Sequence, residues 1–261
     1  MNSDNELSIK EIQKNLKNKI ASESILVFDE IDSTNNEAKR RILNNKLDKT
    51  IIIANSQSAG RGRNGRSFFS PKDTGVYISI ILNPDDICFD IGLITTLVCV
   101  TVSKAISKVS GITPKIKWVN DLYINAKKVS GILCEAVNDT KTGILKAVVV
   151  GIGINCNTEF DGELAQIAGA LFKDNRNIRN KLIAEIINEI HDMIKNNIID
   201  DYLEYSRENS MLIGREVYIV GEEDNVYVAY DIGKTGELIL RDKNGLFRSI
   251  NSGEVSVKLN D

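Results

Sequence analysis

The pattern of apolar and polar residues changes once along the chain, at about residue 210. Before that point, strand-like apolar runs alternate with longer stretches in which apolar residues recur at helical spacing. After it, five short strand-like runs follow one another, separated by turns rich in Gly, Asn and Asp. The pattern therefore predicts a larger mixed domain followed by a small β-barrel module.

The larger part predicts a sheet covered by helices. Helices are expected at residues 8–18, from residue 34 onward, and at 92–109, 179–198 and 200–209. Strands are expected at 27–31, 50–54 and 76–82, followed by an antiparallel meander over 115–155. A sheet of this kind needs cover, which the helices can supply. We therefore predict an α+β fold with a mixed, largely antiparallel sheet and helices on one face.

Composition and charge narrow the class of partner. The chain has 261 residues, 42% hydrophobic and 26% charged, which is ordinary for a soluble globular protein. Its net charge is −3, whereas a dedicated nucleic-acid binder is usually basic or carries a basic face. The polar, acidic start lacks the layout of a signal peptide, and the apolar stretch from Ile91 to Val102 is too short to cross a bilayer. We therefore expect neither DNA nor a membrane as partner.

The cysteines and the histidine argue against a metal site. No two of the four cysteines have the C-x-x-C spacing, and His191 is the only histidine. Because zinc is held by clusters of such side chains, we predict no metal site. Three of the cysteines lie among apolar neighbours, as buried free thiols do. A reducing, cytoplasmic location is the simplest expectation.

The most informative stretch, Gln57–Arg66, reads QSAGRGRNGR. Its glycines let a ligand approach the main chain closely, and its arginines carry charge and donors that fit a carboxylate or a phosphate. A strand-like run precedes it, so the pattern indicates a strand that leads into a flexible, cationic loop. Such a loop suits a small anionic ligand. The alternatives are a solvated loop and a segment that binds nucleic acid.

A second polar stretch opens the helix expected after residue 33. Thr34 followed by Glu37 is a capping-box pattern. One interpretation is that Ser33, Thr34 and Asn35 only cap the helix. The other is that the free N–H groups and hydroxyls of a helix start hold a polar ligand. The residues by themselves leave both open and favour capping.

Two glycine motifs do not indicate a nucleotide site by themselves. The run Gly151–Asn155 begins like a dinucleotide fingerprint but has Cys156 where the third glycine belongs, and no strong helix follows it. The run Gly233–Thr235 lacks the first glycine of a phosphate loop, so a hairpin turn is expected. The irregular stretch 157–176 is a candidate mobile lid.

Four segments taken together resemble the biotin–protein ligases, enzymes that attach biotin to acetyl-CoA carboxylase. They are Ser33–Asn35, Gln57–Arg66, Lys117–Asp121 with Gly131–Leu133 after it, and Gly151–Asn155. Each motif alone is weak, whereas the ordered set is specific. The resemblance implies a catalytic biotin- and ATP-binding domain of class II synthetase type at 24–210 and an SH3-like barrel at 211–261. A short helical extension would then occupy 1–23.

The resemblance also implies the site residues. Biotin would be held by Ser33, Thr34, Asn35, Gln57, Arg61, Gly62, Arg63 and Lys117. The residues implied to be catalytic are Arg61, Arg63 and Lys117, and those on the nucleotide side are Arg63, Arg66 and Asn155. ATP and biotin are the implied substrates, and Mg²⁺ is expected on the phosphates.

The implied reaction has two steps. Biotin is first activated as biotinyl-5′-AMP with release of pyrophosphate, and a lysine of a biotin carboxyl carrier protein then attacks the mixed anhydride. Both reactants of the first step are anionic. The cationic side chains would offset their repulsion and stabilise the charge of the transition state.

Two departures from the family pattern change what is expected. Val119 stands where the family usually has proline, so the fixed φ of that strand edge is lost. Only 32 residues precede Ser33, which leaves no room for the helix-turn-helix domain of some members. We therefore expect a ligase that does not bind DNA, either as a monomer or as a homodimer.

Three other interpretations stay open. A lipoate–protein ligase would use the same two-step acyl-adenylate chemistry, although the Gly-Arg-Gly-Arg run and the C-terminal barrel favour biotin. A regulator could bind biotin without turnover. A nucleic-acid-binding module could use the arginine loop, but the acidic net charge disfavours it.

Overall fold

The computed structural model describes residues 6–17, 24–47, 50–174, 177–196 and 199–258, which form two β-sheets with helices around them. The described helices are α1 (Ile9–Lys14), α2 (Thr34–Leu43), α3 (Ile94–Ser110), α4 (Leu164–Ile167), α5 (Arg179–Lys195) and α6 (Ile199–Glu208). The strands are β1 (Ile25–Ile31), β2 (Ile51–Gln57), β3 (Gly75–Leu82), β4 (Lys115–Lys117), β5 (Asp121–Ile124), β6 (Lys127–Asn138), β7 (Leu145–Asn155), β8 (Glu216–Ile219), β9 (Val226–Ile232), β10 (Leu238–Arg241), β11 (Phe247–Ile250) and β12 (Val255–Val257).

The larger sheet has the strand order β1-β2-β3-β7-β6-β5-β4. Strands β1 and β2 run parallel, and the other neighbouring pairs are antiparallel. A parallel pair needs a crossover connection, and α2 supplies it here. The predicted α+β class with a mixed, largely antiparallel sheet is therefore confirmed.

Helices cover both faces of this sheet, which departs from the prediction of one covered face. Helices α3 and α5 pack on one face, and α1 and α6 pack against them. Helix α2 lies on the opposite face, over β2, β3 and β7. Alternate residues of a strand point to opposite faces, so Ile51 and Ile53 of β2 join the main core while Ile52 packs under α2. An apolar run without alternation is typical of such a strand, buried on both sides.

Helix α3 is the central helix of the core. Leu97, Val98 and Val102 are each no more than 2% exposed, and Gly111 ends the helix in a left-handed conformation with φ of 75°. Together with a short turn before it, the helix spans Ile91–Ser110, which by length and composition could cross a membrane. The helix is therefore longer than the predicted apolar stretch from Ile91 to Val102. However, 67% of its apolar window is buried inside the protein, as expected for a core helix.

The smaller sheet has the order β11-β10-β9-β8-β12, with every neighbouring pair antiparallel. It is attached to the larger part by side chains that reach its backbone. The indole Nε1 of Trp118 donates to the carbonyl oxygen of Gly236 at 2.9 Å, and Arg207 Nη2 donates to that of Ile232 at 2.6 Å. A small C-terminal β module is therefore present, and its SH3-like barrel character stays a prediction.

The segment predicted to be a mobile lid is hydrogen-bonded to the sheet at Gly169 and Leu171. The Gly169 N–H donates to the Lys128 carbonyl oxygen, and the Leu171 N–H donates to the Asn155 carbonyl oxygen, both at 2.9 Å. Short helix α4 lies within it. Residues 175–176 of this segment, and residues 1–5 and 18–23 of the predicted N-terminal extension, lie outside the described residues.

Candidate active site

Two glycines on β7 make a hollow in the larger sheet. A Cβ on Gly151 would lie 2.1 Å from Asn35 Oδ1, and a Cβ on Gly153 would lie 2.6 Å from the Phe68 ring. Both glycines point to the same face because residues two apart on a strand share a face. Their missing side chains therefore let the start of α2 and the loop after β2 lie directly on the sheet. The Gly-x-Gly pattern here serves close packing.

The start of α2 does not use the predicted capping box. Ser33 is the N-cap residue, but its side chain makes no capping hydrogen bond. Glu37, the other half of that box, instead accepts from Arg40 at 2.8 Å. The N–H of Thr34 donates to Gln57 Oε1 at 2.8 Å, and the Thr34 hydroxyl donates to the same oxygen at 3.2 Å. A side chain from the end of β2 therefore accepts the hydrogen bond of the first N–H of the helix.

Asn35 belongs to a buried polar network beneath α2. Ser79 donates its hydroxyl to Asn35 Oδ1 at 2.5 Å. The Asn35 amide donates to Glu135 Oε2 at 2.9 Å and to the Leu133 carbonyl oxygen at 3.3 Å. Ser33, Thr34 and Asn35 are 1%, 4% and 4% exposed, although they are polar. Buried polar groups with this many partners are held in one orientation.

The Gly/Arg stretch forms a tight loop. The Gly62 N–H donates to the Arg66 carbonyl oxygen at 2.7 Å, and the Phe68 N–H donates to that of Gly60 at 2.9 Å. Gly60 has no room for a side chain, because a Cβ there would lie 2.3 Å from the Phe68 carbonyl oxygen. Asn64 adopts φ of 54°, a left-handed conformation that asparagine tolerates well. The predicted flexible loop is therefore internally bonded.

The three arginines of the loop point to different partners. Arg61 contacts Glu135 and Asn36 Oδ1, Arg63 donates to Asn120 Oδ1 at 2.9 Å, and Arg66 forms two hydrogen bonds with Glu254 at 3.1 and 2.7 Å. Arg61 and Arg63 remain at the surface of the pocket described next, whereas Arg66 joins the loop to the smaller sheet.

A pocket, here called the amide pocket, lies between α2, the loop and the glycines of β7. Its polar lining comprises Ser33, Thr34, Asn35, Gln57, Arg61, Arg63, Asn120 and Lys128. Phe68, Ile132, Leu133 and Ile152 supply its apolar lining, and Gly62 contributes backbone. Neutral amides and hydroxyls together with cations suit a ligand that has a polar uncharged part and an anionic part.

A second pocket, here called the lysine pocket, adjoins the first through Gly62, Arg63, Phe68, Asn120 and Lys128, which line both. Its further lining includes Arg66, Lys117, Trp118, Asp121, Gly253 and Glu254. The Glu135 cleft is a third space, lined by Arg61, Arg63, Cys134, Glu135 and Asn251 among others. Residues of the smaller sheet therefore reach two of the three spaces.

Most of the predicted site residues come together. Ser33, Thr34, Asn35, Gln57, Arg61, Gly62 and Arg63 all line the amide pocket. Lys117 and Arg66 line only the lysine pocket, where Lys117 Nζ lies 5.8 Å from the Tyr123 ring centre. Asn155 lies apart from all three spaces, at the end of β7, with its amide bonded to the Gly169 carbonyl oxygen at 3.0 Å.

At Val119, where the family pattern usually has proline, the peptide bond from Trp118 is cis.

Lys128, which was not among the predicted site residues, lines both pockets and pairs with Asp121 at 2.6 Å. Within the predicted meander the turn is at residues 125–126, and β6 begins directly after it at Lys127. A register shift between Leu122 and Tyr123 of β5, opposite Lys128 and Ser130, precedes that turn. A local pattern gives no signal for such a shift, because it depends on the partner strand.

Glu135, also missed, is the anionic centre of the site. Its burial would raise the pKa of its carboxyl group, but hydrogen bonds from Lys39 and Asn35 and the charge of Arg61 lower that pKa overall. Glu135 is therefore a carboxylate near neutral pH. Burial raises the pKa of Cys134 to about 12, so this cysteine remains a thiol and is a poor nucleophile. The arrangement therefore favours stabilisation of anionic groups by cationic side chains over nucleophilic attack by a cysteine.

Two regions of this chain are similar to known protein families. Residues 27–155 match the model described as "Biotin/lipoate A/B protein ligase family", and residues 212–258 match "Biotin protein ligase C terminal domain". A solved structure titled "Biotin protein ligase from Aquifex aeolicus in complex with biotin and ATP" superposes with a TM-score of 0.71 at 25% identity. That match covers 91% of this chain and 99% of the other.

Relatives named "Bifunctional ligase/repressor BirA" are similar in sequence. The one from Escherichia coli (strain K12) is 30% identical over 243 residues, covering 90% of this chain and 74% of the relative. The one from Bacillus subtilis (strain 168) is 37% identical over 168 residues, covering 63% of this chain. The matched region spans about half the length of the Bacillus relative (51%). With the two matched regions and the shared fold, this chain belongs to the biotin/lipoate A/B protein ligase family.

Proposed function

We propose that this chain is a biotin–protein ligase. It activates biotin with ATP as biotinyl-5′-AMP and transfers the biotinyl group to a lysine of a biotin carboxyl carrier protein. The observation that carries this proposal is the amide pocket, where buried Ser33, Thr34 and Asn35 and half-buried Gln57 share one space with Arg61, Arg63 and Lys128. Membership in the family and the similarity to a biotin- and ATP-bound ligase support it.

The polar and apolar lining of the amide pocket fits the polar and apolar parts of biotin. The ureido group of biotin is neutral and both donates and accepts hydrogen bonds, as do Thr34, Asn35 and Gln57. Its aliphatic chain would lie along Ile132, Leu133 and the glycines of β7. Its carboxylate would then lie beside the cations that line the pocket. Direct hydrogen bonds from charged donors are the contacts best suited to a carboxylate.

In the first step a carboxylate oxygen of biotin attacks the α-phosphorus of ATP, and pyrophosphate leaves with the electrons of the broken P–O bond. Both reactants are anionic, so the main barrier that the protein can lower is electrostatic. Arg63 and Lys128 line both pockets, where the carboxylate and the phosphate would meet. Lys117 and Arg66 would act from the nucleotide side, and the nucleotide role of Asn155 remains a proposal from resemblance.

In the second step the neutral amine of the carrier lysine attacks the anhydride carbonyl. AMP leaves with the electrons of the broken C–O bond, and the amine proton is released. The chain contributes positioning and exclusion of water at this step. The side chains that hold the adenylate supply this positioning in the second step. A cysteine nucleophile is not needed, in keeping with the raised pKa of Cys134.

The proposal includes the setting of the reaction. Mg²⁺ would accompany ATP and neutralise part of its phosphate charge. Asp121 and Glu254 are carboxylates that line the lysine pocket, where the phosphates would lie. We further propose a cytoplasmic ligase whose macromolecular partner is the carrier protein and not DNA, as a monomer or a homodimer.

Transfer to a carrier is the direct test. The protein is incubated with a carrier domain, biotin and Mg·ATP, and the carrier is analysed by mass spectrometry. We expect one lysine to gain the mass of a biotinyl group, with pyrophosphate released only when biotin is present. An unmodified carrier with normal pyrophosphate release would limit the activity to adenylate formation. The absence of both carrier modification and pyrophosphate release would refute the proposal.

Lipoate is the second candidate substrate, because the matched family includes lipoate ligases. The match of residues 212–258 to a biotin ligase domain favours biotin. Isothermal titration with biotin and with lipoate separates the two, and we expect heat of binding with biotin alone.

A further inference from the structure

The carboxylate of Glu135 collects donors from two different parts of the chain. Lys39 and Asn35 on α2 donate to it at 2.6 and 2.9 Å, and Arg61 of the Gly/Arg loop lies 3.3 Å away. The Glu135 side chain is 17% exposed. Water therefore screens these contacts less than it would at the surface.

Two of the three partners line the amide pocket, whereas Glu135 itself lines the neighbouring Glu135 cleft. An amide group has a donating end and an accepting end, and a carboxylate can only accept. Glu135, together with the Leu133 carbonyl oxygen at 3.3 Å, therefore draws the Nδ2 end of Asn35 and leaves Oδ1 facing the Ser79 hydroxyl, 2.5 Å away. The orientation of a residue in the pocket wall depends on a side chain behind that wall.

The contact with Arg61 is the loosest of the three. Its two distances to Glu135 are 3.3 and 3.4 Å, and the Arg61 side chain is 39% exposed. It also donates to Asn36 Oδ1 at 3.2 Å. Lys39 lies closer to Glu135 than Arg61 does, so the carboxylate keeps a compensating charge if Arg61 turns to another anion. Arg61 is therefore held near the pocket and can still be released.

We propose that Glu135 is a positioning residue that orients the Asn35 amide and holds the Arg61 guanidinium ready for the carboxylate of the bound substrate. The inference rests on the proposed function, since biotin supplies that carboxylate. Glu135 acts through Asn35 and Arg61 and does not contact the substrate itself.

The test compares Glu135→Gln with Lys39→Met as its matched control. Glutamine keeps the shape of Glu135 but has no charge and one accepting oxygen in place of two, so Asn35 and Arg61 can no longer both be held by a charged acceptor. We expect the Kd for biotin to rise about tenfold, the effect of losing one charge-assisted hydrogen bond, with kcat at saturating biotin changed by less than about threefold. Lys39→Met removes only the third partner and should change that Kd by less than about twofold.

A double-mutant cycle separates positioning from a general effect on the fold. In an Arg61→Ala background, Glu135→Gln should raise the Kd for biotin by less than about threefold, because one of the two residues it positions is already gone. Equal losses in both backgrounds, an unchanged Kd in Glu135→Gln, or an equal loss in Lys39→Met would each overturn the proposal.

Two further measurements keep the result unambiguous. If Glu135→Gln does not fold, Glu135→Asp replaces it, because aspartate keeps the charge near Lys39 but is one methylene shorter. Its Kd for biotin should also rise, and an unchanged value would refute positioning. If the wild-type protein neither binds biotin nor releases pyrophosphate, the proposed function fails as well. If the wild-type protein binds biotin and releases pyrophosphate and the Glu135 variants behave as it does, the positioning role fails and the proposed function stands.

Discussion

At the scale of single residues, Arg63 and Lys128 are the cations best placed for the proposed first step. Each lines both the amide pocket and the lysine pocket. Lys117, which the resemblance implied to be catalytic, lines only the lysine pocket. The difference gives the two lysines distinct expected effects.

We expect Arg63→Ala and Lys128→Ala each to slow adenylate formation by about 10²–10³-fold, the typical cost of losing a transition-state charge contact. Lys117→Ala should slow it by less than about tenfold, because its contact is on one side of the reaction only. Pyrophosphate release with biotin and Mg·ATP measures all three. A loss in Lys117→Ala as large as that in Lys128→Ala would restore Lys117 as the principal lysine.

The Glu135 carboxylate should also make stability depend on pH. Its pKa in the folded protein lies below the ordinary value of 4.5, and the charged groups that face it are Lys39 and Arg61. The stabilisation is therefore fully present above about pH 4.5 and is lost as pH falls through the lowered folded pKa. We expect Glu135→Gln to lower the free energy of unfolding by about 2 kcal/mol at pH 7. The gap from wild type should narrow in denaturant titrations below pH 4.5, and a constant gap would contradict this account.

At the scale of elements, β7 forms the floor of the site because it lacks side chains at two positions. The start of α2 and the Phe68 ring occupy the space above Gly151 and Gly153. The helix start is in turn held by Gln57 from the end of β2. One strand, one helix start and one loop therefore fix one another.

We expect Gly153→Ala to destabilise the fold by about 1–3 kcal/mol and to raise the Kd for biotin at least about tenfold, because Phe68 must move. Gly143→Ala is the matched control on the β6–β7 turn. Gly143 has φ of 73° and open space around it. Alanine there should cost about 1 kcal/mol of backbone strain and leave biotin binding unchanged. Thermal unfolding and titration calorimetry separate the two effects, and normal biotin binding by Gly153→Ala would refute the floor assigned to β7.

At the scale of the whole molecule, the smaller sheet completes the site formed by the larger one. Glu254 holds Arg66 of the Gly/Arg loop through two hydrogen bonds, and Gly253 and Asn251 line the neighbouring spaces. The hydrogen bond with Arg66 is also the principal cause that lowers the pKa of Glu254. The C-terminal module is therefore connected to the loop that faces the substrates.

We expect Glu254→Gln to raise the KM for ATP by about two- to fivefold, since a partly exposed ion pair contributes about 0.2–1 kcal/mol. The effect should shrink at high salt, because salt screens exposed charges. Glu222→Gln is the matched control, since Glu222 pairs with Arg248 inside the smaller sheet at 2.6 Å. It should leave the KM for ATP unchanged. Equal effects of both substitutions would indicate a general loss of stability instead.

Much of the fold and part of the site could be predicted from local patterns. Apolar periodicity predicted the strands of the larger sheet and the helices beside it, and the change near residue 210 predicted the small module. The same patterns could not distinguish a capping box from ligand-facing residues at Thr34, because the decisive partner, Gln57, is 23 residues away in the chain. They also missed Lys128, whose register is set by the strand beside it.

Local patterns along the chain establish which residue types are available, the order of the secondary structure and the family, because these depend on local preferences and on motifs that are contiguous in the chain. The tertiary structure alone decided which charges meet. It brought Glu135 to Arg61, 74 residues apart, and Arg66 to Glu254, 188 residues apart, while it left Asn155 away from the pockets. Electrostatic contacts depend on distance in space, and strand pairing and helix packing set that distance.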